Sequence, residues 1–228
     1  MRPLRVTATL ETGQVATIDG HLPLDSILAY AWIARHRPEL LWVNRAGTLG
    51  ATGAEPLFQP PLPLERREEC GEWFWASSSA QYRRLAEDTT YWHKRFDALA
   101  AARYVDFRRG RGRISTSSGP YKAHRTPLVY IVTPELTWYA MGEREAVASL
   151  LSGIVAIGKK RGSGYGQVVD WVVEDWPEDL SCRDGRGRPM RSVPCQDGPY
   201  LAGVRPPSWH PANHVPCDRP PAGGWGSE

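Results

Sequence analysis

The sequence predicts an α+β protein with an antiparallel sheet and two helices. Two observations predict it: an opening segment of strict apolar alternation, and two later segments with helical apolar spacing, each followed by strand-like runs. In residues 4–11, Leu4, Val6, Ala8 and Leu10 share one face and Arg5, Thr7, Thr9 and Glu11 the other, the period of a half-buried strand. Between 24 and 36, Leu24, Ile27, Leu28, Ala31 and Trp32 recur at the spacing of one helix face. From Glu143 to Ile157, Ala146, Val147, Leu150, Leu151, Ile154 and Val155 do the same, with acids at the start and Lys159 and Lys160 at the end, which suits the helix dipole.

The remaining elements follow from residue type. Residues 56–64 hold four prolines, which fix φ and remove backbone donors, so an extended connection is expected there, leading into a strand over 72–79. Leu128 to Met141 is rich in Val, Ile, Tyr, Thr and Trp and is interrupted by Pro134, which predicts a strand or a bent strand pair. Val168 to Val173 reads as a buried strand. The last 52 residues carry ten of the twenty prolines and little apolar period, so 174–228 is expected to be an irregular tail beside a domain of residues 1–173.

Composition narrows the classes. A chain of 228 residues with 41% hydrophobic content and ten tryptophans has enough apolar surface to fold around one main core, and whole-chain disorder is excluded. A net charge of +3 is too small to mark a nucleic-acid binder, so the distribution of charge matters more than its sum. Without a run of about 18 apolar residues, and with Met1-Arg2-Pro3 entering a strand directly, a cytoplasmic location without membrane association is expected.

The charge is concentrated in two places. Residues 103–127 contain Arg103, Arg108, Arg109, Arg111, Arg113, Lys122 and Arg125 against the single acid Asp106, in a setting of glycine and serine that predicts a mobile hairpin or lobe. The second place is Gly158-Lys159-Lys160-Arg161-Gly162-Ser163-Gly164-Tyr165-Gly166-Gln167. Three successive cations are followed by glycine at every second position. Glycines let a backbone approach phosphate closely, the cations neutralise it, and Tyr165 is placed to stack on a base. The loop follows a helix and enters a strand, the reverse of a dinucleotide fingerprint or a P-loop, and it lacks Gly-Lys-Ser/Thr, which argues against nucleotide hydrolysis.

The order strand, helix, strands, helix, glycine loop, strand, with Ile154 to Val169 around the basic Gly-x-Gly-x-Gly and Leu24 to Ala31 opening the first helix, resembles the RAMP superfamily of CRISPR proteins. Among its members the chain looks most similar to the type IV effector subunit that binds the five-prime handle of the guide RNA. That resemblance covers roughly residues 4–173. It implies a ferredoxin-like, RRM-like fold, a thumb-like insertion at 103–127, and a ribonucleoprotein containing crRNA, a backbone-type RAMP subunit and a large subunit, with target DNA as a further partner. The RNA contacts it implies are Lys159, Lys160, Arg161, Gly162, Ser163, Gly164, Tyr165 and Gly166, together with Arg108, Arg109, Arg111, Arg113, Lys122, His124 and Arg125. No catalytic residue, cofactor or metal is expected.

Two kinds of chemistry compete with pure binding. Tyr91 to Arg95 and Tyr121 to Arg125 each place Tyr, Lys and His within a few residues, so His93 or His124 could serve a repeat-processing endoribonuclease as general acid or base. The same residue types equally serve stacking and phosphate contact. Cys182, Cys195 and Cys217 with His210 and His214 supply enough ligands for zinc but lack the close Cys-x2-Cys pairs of zinc ribbons. Asp97 and Asp106 are too isolated for a two-metal nuclease. Trp73, Trp75, Trp171 and Trp176 are expected to pack in the core or at a subunit interface. A structural adaptor without RNA contact is the remaining alternative.

Overall fold

The computed structural model describes residues 1–17, 20–43, 58–104, 115–221 and 223. Its strands are β1 (Arg2–Leu10), β2 (Gln14–Ala16), β3 (Arg66–Glu69), β4 (Glu72–Trp75), β5 (Ala86–Lys94), β6 (His124–Val132), β7 (Glu135–Gly142), β8 (Val168–Asp175), β9 (Val193–Pro194), β10 (Tyr200–Gly203) and β11 (His214–Asp218). Its α-helices are α1 (Leu24–His36), α2 (Glu39–Val43), α3 (Ala98–Tyr104) and α4 (Arg144–Leu151). Two compact units result: one of Met1–Ala86 with Ile131–Glu228, the other of Glu87–Tyr130.

The first unit is built on β1. It pairs antiparallel with β7 on one side and β8 on the other. Ala76 to Gln81 runs along the outer edge of β7, with bridges Ser77 to Ala140 and Gln81 to Thr137, so the order across the sheet is β8, β1, β7, then this irregular edge. The alternation read from residues 4–11 is realised directly: Leu4, Val6, Ala8 and Leu10 are buried. They meet Leu136, Trp138 and Ala140 of β7, Leu24, Leu28 and Ala31 of α1, and Val147, Leu150 and Leu151 of α4. Trp138 is fully buried and donates its indole N–H to the Leu22 carbonyl at 2.7 Å, while Trp171 donates to the Ile154 carbonyl at 2.8 Å. Both therefore carry apolar area into the core without an orphaned donor.

Pro134 falls between β6 and β7. The second helix is shorter than its apolar spacing predicts, because Val155 to Ile157 leave helical geometry and pair with Gly166 to Val168 instead. The expected strand at 72–79 is a shorter β4, which pairs antiparallel with β3. Trp75 and Trp171 pack against the main core, whereas Trp73 lies under the guanidinium of Arg66 and Trp176 under that of Arg5, at 4.3 and 4.2 Å.

The C-terminal segment, expected to be irregular, holds a small antiparallel sheet in the order β10, β11, β9. Val193, Val204, Cys182 and Cys217 form a second core with Phe74 and Ala76. One buried side chain links the two cores. Arg191, 2% exposed, donates to the Asp25 carboxylate at 3.1 Å, to the Ser77 carbonyl at 3.1 Å and to the carbonyls of Trp75 and Val204. Asp25 is 1% exposed at the start of α1, and burial pushes its carboxyl above the ordinary carboxylate range against the opposing pull of Arg191.

A more exposed junction lies at Asp179. Burial opposes ionisation there, but the Ser181 hydroxyl and amide and the Arg67 guanidinium outweigh it and hold the carboxyl below its usual range. A depressed pKa in the folded state contributes stability that is present above the unfolded-state value near 3.9 and is lost as pH falls through the folded one. Thermal unfolding scanned downward from pH 5 is therefore expected to show a smaller acid-induced loss in Asp179→Asn than in the parent.

The second unit contains most of β5 and β6, which are hydrogen-bonded neighbours, and α3. Asp97 caps α3, its carboxylate accepting from the amides of Leu99 and Ala100 at 2.9 Å each. That is a structural use for the acid, consistent with its isolation in sequence. Phe96 packs edge-on against Tyr121, and the Tyr130 hydroxyl donates to Asp88 at 3.1 Å.

Candidate nucleic-acid interface

The basic glycine loop leaves α4 through Val155 to Ile157 and returns through Gly166 to β8. Its two limbs are joined by the Ile157 amide to the Gly166 carbonyl at 2.9 Å and the Val168 amide to the Val155 carbonyl at 2.9 Å. A neck is thereby closed, and β2 pins it from the side: Lys159 donates its amide to Ala16 and Gly166 donates to Gln14, both at 2.7 Å. The tip, Lys160 to Gly164, stands out from this neck with a short 3-10 turn at Arg161–Ser163. Lys159, Lys160, Arg161, Gly162, Ser163 and Gly164 are all exposed.

The four glycines of the loop divide into two pairs. Gly158 and Gly166 have φ of +77° and +66°, and a Cβ on either would sit 2.5 Å from the Ala16 carbonyl oxygen or 2.0 Å from that of Ile157. These two are required by close backbone approach in the neck. A Cβ on Gly162 or Gly164 would meet nothing within 4 Å, so the openness of the tip is available to a ligand. Gly166→Ala is expected to lower stability by about 2 kcal/mol or more, combining left-handed strain with the clash. Gly162→Ala is expected to leave the thermal midpoint unchanged.

Three backbone amides at and beside the tip are already used: Ser163 donates to the Lys160 carbonyl at 2.8 Å, Gly164 to that of Arg161 at 3.2 Å, and Gly166 to Gln14. What the tip offers an anion is chiefly its side-chain cations. Gln167 reinforces the shape by donating Nε2 to the Arg161 carbonyl at 2.9 Å.

Tyr165 is half-buried, whereas Tyr30, which composition alone did not single out, is exposed and lies beneath the Arg161 guanidinium at 4.6 Å. Tyr30 sits off the apolar stripe of α1, and that was the available signal. Beside it Ile154 to Ala156, Gly162 and Gln167 outline an open groove of about 290 Å3. A flat aromatic face, a guanidinium plane and a row of cations are thus held together on a rigid base.

The other predicted contacts come from a different stretch of the chain. Lys122, His124 and Arg125 belong to the second unit and are exposed, with the Arg125 guanidinium 3.6 Å from the Tyr91 ring centre. Arg108, Arg109, Arg111 and Arg113, with Asp106, fall outside the described residues. His93 and His124 are exposed on neighbouring strands.

Among the described residues no three of His, Cys, Asp and Glu converge on one point. Cys182 and Cys217 are core side chains, and burial pushes the Cys217 thiol up. His210 Nδ1 accepts from the Ala212 amide, and His214 Nε2 meets the Ser208 carbonyl at 2.8 Å. Among the described residues no helix is long and apolar enough to cross a membrane.

An antiparallel-sheeted α/β chain with a rigid-necked cationic loop between its last long helix and the following strand defines the class of this protein. A family model described as CRISPR type IV associated protein Csf3 matches residues 2–220, and the chain belongs to that family. The match includes the C-terminal sheet as well as the part of the chain that carries the loop. No curated protein matches the chain.

Proposed function

We propose that this protein is the non-catalytic guide-RNA-binding subunit of a type IV CRISPR effector ribonucleoprotein, holding the five-prime handle of the crRNA. The observation that carries this reading is the loop tip: Lys159, Lys160 and Arg161 are exposed in succession on a neck closed by backbone hydrogen bonds. Preorganised cations lose little freedom on meeting a phosphate chain. Membership in the type IV family makes crRNA the fitting polyanion, with a backbone RAMP subunit and a large subunit as neighbours in the assembly.

The topology supports a ferredoxin-like, RAMP-type domain. The order β8, β1, β7 and edge segment, all antiparallel, with α1 following β1 and α4 joining β7 to β8, is the arrangement such a domain requires. Short β2 and the β3–β4 hairpin are additions to it. The second unit supplies Lys122, His124 and Arg125 as further phosphate contacts, in the part of the chain that would act as a thumb.

The test is binding of the purified chain to single-stranded RNA carrying a repeat-derived five-prime end, titrated at several salt concentrations. Affinity is expected to fall as salt rises, by about 0.7 logarithmic units per phosphate contact and tenfold change in salt. Absence of binding at low salt would overturn the reading. Incubation with a repeat-containing transcript is expected to return it intact; scission lost on replacing His93 or His124 by alanine would establish a nuclease instead.

A further inference from the structure

A second groove borders the first residues of the glycine loop. Gly158 and Lys159 form one wall, and His21 with Leu22 and Pro23 lie beside them. The opposite wall comes from the C-terminal sheet: Leu201 to Gly203, Ser208, Trp209, His214 and Arg219. Its volume of about 460 Å3 lies in the range of sites that enclose small ligands. Among the described residues no carboxylate lines it, whereas Lys159 and Arg219 do, with His21 and His214 beside them; Arg191 is paired with Asp25.

Trp209 stands at this groove with 57% of its surface exposed, an unfavourable position for so large an aromatic unless something covers it. It is not a loose side chain on a loose strand. Asn213, buried, donates its side-chain amide to the Pro207 carbonyl at 3.1 Å and accepts from Arg205 Nε at 3.1 Å. His214 holds the Ser208 carbonyl at 2.8 Å, and because a carbonyl only accepts, Nε2 carries the proton there. The backbone on both sides of Trp209 is thereby fixed, so its ring is presented at little further entropic cost.

We infer that this groove binds one nucleotide of single-stranded RNA adjacent to the stretch held by the loop, with the base stacked on Trp209 and its phosphate between Lys159 and Arg219. The inference rests on the loop being an RNA site and extends that site onto the C-terminal sheet. Lys159 belongs to both, which makes the two parts continuous. An indole face accepts any base, so the added contact is tolerant of sequence. An acidic peptide would satisfy the cations but would leave the indole without a flat partner.

Fluorescence anisotropy with a labelled oligouridylate of about ten nucleotides, a length within the range of single-strand binding sites, separates this groove from the loop. Trp209→Ala is expected to weaken binding about tenfold or more with an unchanged salt slope, and Trp209→Phe to restore most of the affinity, as for one stacked base. If Trp209→Ala binds as the parent does while the Lys159→Ala, Lys160→Ala, Arg161→Ala triple variant loses affinity, the groove is refuted and the loop reading survives. If neither variant loses affinity, both fall. Photocrosslinking of the unaltered protein to a 4-thiouridine strand gives a readout independent of variant folding. An adduct on the peptide containing Trp209 is expected, and its absence, with adducts forming at the loop, refutes the groove.

Discussion

Replacing Arg191 by alanine is expected to lower the stability of the first compact unit by about 3–5 kcal/mol, measured as a fall in the urea midpoint at unchanged slope. The size follows from what the guanidinium satisfies. It is almost wholly enclosed, pairs with an equally enclosed Asp25, and donates to the carbonyls of Trp75, Ser77 and Val204. Phe74 covers its face at 5.0 Å. Alanine removes the donor and leaves a buried carboxyl and three carbonyls without it. Arg191→Lys is also expected to be clearly destabilising, because a compact ammonium cannot span acceptors that a planar fork reaches together. Combining Arg191→Met with Asp25→Asn is expected to cost less than the two single changes added, since the charge left by either one alone disappears. Strict additivity would show that the pair is not energetically coupled.

The Lys159→Ala, Lys160→Ala, Arg161→Ala variant is expected to show the largest effect on RNA. Three single-strand phosphate contacts contribute about 2 to the slope of log K against log salt, which amounts to about 100-fold in affinity at 0.1 M salt relative to 1 M. The loss should be similar for unrelated sequences, because these side chains reach phosphate and not base edges. Folding should survive. The neck is built from backbone bonds and from Gly158 and Gly166, and none of the three side chains belongs to the core. Gel-shift titration at three salt concentrations reads both quantities, and an unchanged slope would remove the loop from the interface.

The Arg191 and loop variants probe features of different visibility in the sequence. β1, α1 and the start of α4 could be read because each has one wet face and one dry face, and period two or period 3.6 then appears in neighbouring residues. β3 was hidden because Arg66-Arg67-Glu68-Glu69 has no apolar face at all. The polar run of β5 concealed it similarly. In the C-terminal sheet, Val193, Val204 and Cys217 come from separate short segments, so no window of sequence contains enough of the second core to show a period.

The amino-acid order was sufficient to locate a basic glycine loop between helix and strand, and to assign the chemistry it favours, because charge and missing side chains are properties of residues themselves. Folding decided which glycines form the neck, which amides are already used, and that Tyr30 meets Arg161. It likewise brought Asp25 to Arg191 across 166 residues. Such roles depend on what distant segments place at a few ångströms, and neither close approach nor dehydration leaves a mark in local pattern.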